Sequence, residues 1–343
     1  MTFHLHIKGR VQGVGFRPYI YKLAIEKKLT GTVSNTADGV HIFFNCLSGE
    51  DAKNFQEEVI AHAPGLSIIT SSTLAEAALT NFENFSIVLG ETNRPNLLIS
   101  PDFALCVACN TEFHSPENRR SHYPFITCTL CGPRFSIMSA LPYERHLTTM
   151  QPFKQCEACM KEYENAEDRR YFSQTNSCPV CGVPMSWHSK NGGELIVDEN
   201  EILSLFVDNI SAGKIIAVKG IGGYLLICDA KNKIAIETLR QRKHRPSKPF
   251  AVLFPGIDLI SRYTYLNPSE KKILTNEISP IVIVEANDRC REELCMEAIA
   301  PGLSSIGIML PYAPLLEWLV NTWKNPLIAT SGNLSGSSIV FQS

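Results

Sequence analysis

Eight of the twelve cysteines stand in four Cys-x-x-Cys pairs, an arrangement that offers a soft cation four thiolates in suitable local geometry. Cys106 and Cys109 are followed, after 18 residues, by Cys128 and Cys131. Cys156 and Cys159 are followed, after 18 more, by Cys178 and Cys181. The second set repeats the first at a spacing of 50 residues, together with paired arginines (Arg119-Arg120, Arg169-Arg170) and a glycine after the last cysteine, Gly132 and Gly182. A unit written twice predicts two structural zinc sites, most simply closed within each copy, although pairing between copies satisfies the same spacing. Four thiolates leave no open position for water, which disfavours catalytic zinc.

Two other stretches carry anion chemistry. Gly9–Pro18 contains Gln12, Gly13, Val14, Gly15, Phe16 and Arg17. A glycine-rich turn between a strand and a helix N-terminus lets backbone N–H groups converge on an anion, and an arginine beside it can grip two phosphate oxygens as a fork. A plain tight turn accounts for the glycines alone equally well. Arg240–Lys248 holds five cations in nine residues with no acid. That is either a solvated basic loop or a site for an anionic substrate such as a nucleoside triphosphate. Thr330-Ser331-Gly332-Asn333-Leu334-Ser335-Gly336 offers the same kind of ligand hydroxyls, an amide and backbone N–H groups.

The elements that must position these groups divide the chain into three. In residues 1–90, Phe3, Leu5 and Ile7 alternate with His4, His6 and Lys8 as a half-buried strand. A helix begins near Pro18, strands follow at Thr32–Asn35 and Val40–Phe44, then a helix at Asp51–Ala61 and a strand at Phe85–Leu89. This βαββαβ order is a ferredoxin-like sandwich. Residues 98–187 show little apolar periodicity, so zinc must organise them. Residues 195–343 alternate strands (Lys214–Lys219, Tyr224–Cys228, Phe250–Phe254, Ile281–Glu285, Leu327–Ala329) with helices (Lys231–Arg240, Leu315–Trp323), an α/β domain. The whole is an α/β multidomain protein. Cys46 and Cys228 are expected in the core, Cys290 and Cys295 as surface thiols, and His4 and His6 as solvated surface histidines rather than a metal pair.

Composition limits the function classes. A chain of 343 residues with 44% hydrophobic and 19% charged residues is an ordinary globular protein. A net charge of −2 supplies no global field for nucleic acid or membrane. No apolar run reaches 18 residues and Met1-Thr2-Phe3-His4 lacks a leader pattern, so neither a membrane span nor export is expected. Paired cysteines then read as reduced thiolates in the cytoplasm.

The string Val11-Gln12-Gly13-Val14-Gly15-Phe16-Arg17, with Gly31–Thr36 and Asp38-Gly39, resembles the acylphosphatase family. That resemblance implies that Arg17 holds the phosphoryl group of an acyl phosphate and Asn35 orients the attacking water. The last third resembles the YrdC-type domain, which makes acyl-adenylates from ATP with magnesium. It implies that Lys243, Arg245 and Lys248 bind the carboxy-type anion and phosphates, and that Ser331 and Asn333 contact substrate and nucleotide. Lys219-Gly220-Ile221-Gly222-Gly223-Tyr224 replaces the Pro-Thr-Glu-Thr string of stand-alone members, implying a different substrate; Lys219 joins the expected binding set.

The three parts in this order resemble the HypF family of hydrogenase-maturation carbamoyltransferases. The resemblance implies hydrolysis of carbamoyl phosphate to carbamate and phosphate, then condensation of carbamate with ATP to carbamoyl-adenylate and pyrophosphate. The carbamoyl group is passed on to the C-terminal cysteine of the partner HypE, a precursor of the iron's cyanide ligands. The sequence ends at Ser343, ten residues past Asn333, before the transferase region into which that family continues. Final transfer is therefore not expected of these residues, and the YrdC-like domain is expected to be incomplete. The alternative is a zinc-ribbon module binding RNA or a protein through Arg119, Arg120, Arg169, Arg170 and nearby aromatics. Interspersed acids such as Glu157, Glu162 and Glu164 weigh against nucleic acid.

Overall fold

The computed structural model describes residues 1–90, 98–189, 195–334 and 336–341. Ser335, part of the 330–336 stretch, lies outside them. The chain forms two compact units: Met1–Asp102 with Ile126–Gly182, and Phe103–Phe125 with Val183–Ser343.

The first unit is built on β1 (Thr2–Arg10), α1 (Phe16–Glu26), β2 (Thr30–Thr36), β3 (Gly39–Asn45), α2 (Gly49–Ala61), β4 (Ile68–Ala77) and β5 (Phe85–Leu89). The sheet order is β4-β1-β3-β2-β5, antiparallel except for β2 with β5. Period-two alternation turns Leu5, Ile7, Val33, Val40, Ile42 and Phe44 inward. They meet Phe16, Ile20, Leu23 and Ala24 of α1 and Ala52, Phe55 and Val59 of α2, all buried. Ser48 caps α2 by accepting from the Asp51 N–H. The sequence reading missed β4, an edge strand whose Ile-Ile-Thr-Ser-Ser-Thr-Leu-Ala-Glu-Ala is mostly exposed and too polar to show periodicity.

Two eight-residue helices start at the first cysteine of each repeat: α3 (Val107–His114), N-capped by Cys106, and α4 (Glu157–Glu164), N-capped by Cys156. Each copy then returns through a residue at positive φ, His122 (54°) and Phe172 (53°). The His122 N–H donates to Phe113 O and the Phe172 N–H to Tyr163 O. Asn118 Oδ1 accepts from the Arg120 N–H, and Asp168 Oδ1 from the Arg170 N–H. The 50-residue sequence repeat is therefore a repeat of backbone path.

The second unit continues with α5 (Glu199–Ser211), β6 (Ile216–Gly220), β7 (Gly223–Asp229), α6 (Lys233–Arg242), β8 (Ala251–Leu253), α7 (Ile257–Tyr263), β9 (Thr264–Tyr265) and α8 (Pro268–Leu274). After these come β10 (Val282–Ala286), α9 (Asp288–Glu293), α10 (Met296–Ile299), β11 (Ser305–Met309), α11 (Pro314–Trp323) and β12 (Leu327–Ser331). Its mixed sheet has the order β6-β7-β12-β8-β11-β10-β9, with only β8 and β11 parallel. The glycine-rich string after Lys219 is the turn of the β6–β7 hairpin. Gly222 and Gly223 there take φ of 85° and 143°, which side chains resist. Cys228 is buried as expected, whereas Cys46 is only half-buried. Cys290, expected as a surface thiol, is fully buried because α9 turns it into the core, and burial pushes its thiol up to about 11.

Candidate active site and zinc centres

The glycine-rich loop enters α1 at Gly15, whose left-handed conformation (φ 77°) places it as an N-cap without a side-chain cap bond. The first-turn N–H groups are thus left for an anion. Gly13, at φ 70°, leaves no space for a Cβ, which would stand 2.7 Å from Arg134 Cδ. Gln12 ties the loop down: its Nε2 donates to Thr36 O (2.6 Å) and Gly39 O (2.9 Å), and its Oε1 accepts from the Tyr143 N–H (2.9 Å). Arg134, buried, donates to Gly13 O and to the carbonyls of Cys128, Thr129, Cys131 and Pro133.

Arg17 and Asn35 are brought together. Both are buried, and the Asn35 amide, with its oxygen facing the guanidinium, accepts from Arg17 Nε (3.1 Å) and Nη2 (3.3 Å). The guanidinium lies 5.8 Å from the Phe172 ring centroid. Its principal partner is one the sequence reading missed. Glu144 takes Arg17 in a two-pronged ion pair, Nη1 to Oε1 and Nη2 to Oε2 (3.2 Å), with both side chains 5% exposed. A carboxylate therefore sits where a fork-shaped donor meets two oxygens of an anion. Beside it is a cavity of about 30 Å³ lined by Gln12, Gly13, Gly15, Arg17, Asn35 and Tyr143, among others. That volume holds about two waters. Nothing in the local sequence marks Glu144, an isolated acid in a stretch without periodicity.

Cys156, Cys159, Cys178 and Cys181 bring four sulfurs within 4.8 Å of one another, and Cys106, Cys109, Cys128 and Cys131 form the first group, with the same spacing in sequence. In the second group the sulfur separations are 3.6–3.8 Å. Four thiolates about 2.3 Å from a tetrahedral zinc stand about 3.8 Å apart, so the group fits zinc. Burial opposes charge on Cys156, but hydrogen bonds from the Cys159 backbone N–H and the neighbouring thiols outweigh it and bring the thiol down to about 7. The second arginine of each pair, Arg120 and Arg170, is buried, and Arg170 Nε donates to Thr127 O (3.0 Å). These cations therefore do not form an exposed nucleic-acid stripe.

In the second unit Lys243, at the C-cap of α6, is 2% exposed. Its Nζ donates to Ser331 O, Asn333 O (2.6 Å) and Asn333 Oδ1 (3.3 Å), so three of the expected residues converge. The Ser331 hydroxyl donates to Asn333 Oδ1 (2.6 Å). Burial, then the neighbouring Arg245 charge, lower the Lys243 ammonium. Arg245 donates to Lys248 O (3.0 Å) and Pro249 O and lies over Phe250, while the Lys248 and Lys219 side chains are exposed. Arg240, which the sequence reading counted only as one of the cluster's charges, braces the loop by donating to Arg245 O, Lys248 O, Ala298 O and Ile299 O.

Family models match the chain in three parts: acylphosphatase over residues 3–87, the HypF finger over 105–138 and 156–188, and the telomere recombination family (Sua5, YciO, YrdC) over 208–343. The chain is 44% identical over 338 residues to carbamoyltransferase HypF of Synechocystis sp., covering 98% of this chain and 43% of that one. It is 38% identical over 343 residues to the probable carbamoyltransferase HypF of Methanocaldococcus jannaschii, covering 99% and 44%. A crystal structure of full-length HypF in the phosphate- and nucleotide-bound form matches with a TM-score of 0.89 at 36% identity, over 99% of this chain and 44% of that chain. The HypF of T. kodakarensis matches with a TM-score of 0.86 at 36% identity, over 100% and 43%. Acylphosphatase-like, doubled-finger and Sua5/YrdC-like parts in one chain define a multidomain enzyme class. Along nearly its whole length the chain is similar to HypF carbamoyltransferases, and it spans less than half the length of these relatives.

Proposed function

We propose that this chain carries the two front reactions of a hydrogenase-maturation carbamoyltransferase in the cytoplasm. Carbamoyl phosphate enters the 9–18 loop with its phosphoryl oxygens on the backbone N–H groups and Arg17, in the position that Glu144 fills here. Asn35 orients a water toward phosphorus, the bond from phosphorus to the bridging oxygen breaks, and carbamate leaves with phosphate behind it. Carbamate oxygen then attacks the α-phosphorus of ATP, giving carbamoyl-adenylate and pyrophosphate. Lys219, Lys243, Arg245, Lys248, Ser331 and Asn333 hold the anions, and magnesium arrives with the nucleotide. Zinc at the two four-cysteine groups supplies rigidity and no chemistry. The carbamoyl-adenylate is then the donor from which the carbamoyl group reaches the partner HypE.

The observation that carries this reading is the Arg17–Asn35 pair at an uncapped helix N-terminus, gripping a carboxylate with two prongs. Its test is the exchange of labelled pyrophosphate into ATP, which should depend on carbamoyl phosphate. Exchange that persists in the Arg17→Ala, Lys243→Ala double variant removes both site assignments.

A further inference from the structure

On the sheet face turned away from α1 and α2 lies a side-chain cluster that neither the phosphate loop nor the cysteine groups use. β1 and β3 pair antiparallel with His6 opposite His41. Because Leu5, Ile7, Val40 and Ile42 fill the helix-covered core, the alternation sends His4, His6 and His41 to the other face. Asp38 comes from the turn joining β2 to β3. His41 Nε2 lies 3.0 Å from Asp38 Oδ1 and His6 Nε2 lies 3.6 Å from Asp38 Oδ2. One ligand atom from each of the three falls within 4.8 Å of the others.

Their surroundings hold these groups in place. The His6 and His41 rings stack at 4.0 Å, and His4 stacks on Phe43 at 4.3 Å. The far nitrogen of His41, Nδ1, lies 2.8 Å from His4 Nε2, and the Thr36 hydroxyl donates to Asp38 Oδ1 at 2.6 Å. Metal-bound imidazoles characteristically have their other nitrogen hydrogen-bonded, and metal-bound carboxylates are themselves hydrogen-bonded. Side-chain exposures of 13%, 19% and 31% for His6, His41 and Asp38 leave the cluster reachable from solvent without letting the rings turn freely.

We propose that His6 Nε2, His41 Nε2 and an Asp38 carboxylate oxygen bind one borderline divalent cation, Zn²⁺ being the best match to two imidazoles and a carboxylate. Water completes its coordination. The cation takes the place of the proton between His41 and Asp38, and His41 Nδ1 then donates to His4. The site would brace the β2–β3 turn, whose Thr36 and Gly39 carbonyls anchor Gln12.

The test uses the full chain with both four-cysteine groups loaded with zinc, titrated with Zn²⁺ and, in parallel, with Co²⁺. Elemental analysis after gel filtration should rise from two to three metals per chain. The added Co²⁺ should show weak visible bands without thiolate charge transfer. The His41→Ala and Asp38→Asn variants should each stay at two, with the cysteine-bound zinc retained as the sign that they fold. A wild-type chain that stops at two, or a third metal that persists in a His6→Ala, His41→Ala double variant, overturns the proposal.

Discussion

In the proposed reaction, Glu144 and the substrate's phosphoryl group compete for the same guanidinium, which Glu144 holds in this structure. Charge-assisted hydrogen bonds contribute about 1.5–3 kcal/mol each, so a resident carboxylate must weaken binding of any incoming anion. The Glu144→Gln variant should bind inorganic phosphate and carbamoyl phosphate at least about tenfold more tightly, seen as a lower KM with little change in kcat. A purely structural Glu144 would lower kcat or stability and leave KM alone. Removing only the cation is a different matter. Arg17→Ala leaves a buried carboxylate unpaired, which costs about 3–5 kcal/mol, and thermal unfolding should register it. The Arg17→Ala, Glu144→Gln double variant should recover most of that stability while staying inactive in phosphate release. A double variant that regains activity would separate Arg17 from the chemistry.

At the scale of elements, the parts with strong local signals were legible and the parts made by tertiary packing were not. Val11–Arg17 could be read because its glycines stand between a clear strand and a clear helix start, and the cysteine repeat because its spacing is rigid. Glu144 could not, since only the fold brings it 127 residues along the chain to Arg17. Neither the solvated-loop nor the anion-site reading of the basic cluster anticipated that Arg240 and Lys243 are buried against backbone carbonyls while Arg242 and Lys248 are exposed. α4 is eight residues long, well under the 12–15 at which isolated helices become marginal. Its stability must come from tertiary packing and, with zinc on the cysteines around it, from a structural site that contributes about 10 kcal/mol or more. Chelation, or Cys159→Ser, should therefore melt α4 and the turns around it, with loss of hydrogen-exchange protection there. Protection in β1–β5, whose apolar core involves no cysteine sulfur, should persist. Protection lost uniformly across the first unit would show that the sheet depends on the metal too.

For the whole molecule, the two proposed anion sites draw their residues from different units: Arg17, Asn35 and Glu144 from the first, Lys243, Ser331 and Asn333 from the second. If carbamate is the species passed between two separable reactions, each site should be removable by itself. Carbamate also forms directly from ammonia and bicarbonate in solution, so it can be supplied without the first reaction. Arg17→Ala should abolish pyrophosphate exchange supported by carbamoyl phosphate yet retain exchange supported by concentrated ammonium bicarbonate. Lys243→Ala should lose both while still releasing phosphate from carbamoyl phosphate. The alkaline limb of exchange should also set in below the range of an ordinary lysine, because burial and Arg245 lower the Lys243 ammonium and its charge is lost sooner as pH rises. Bicarbonate that fails to restore exchange in a stably folded Arg17→Ala chain would mean that carbamate is not a free intermediate, and that the two sites act on one undivided substrate.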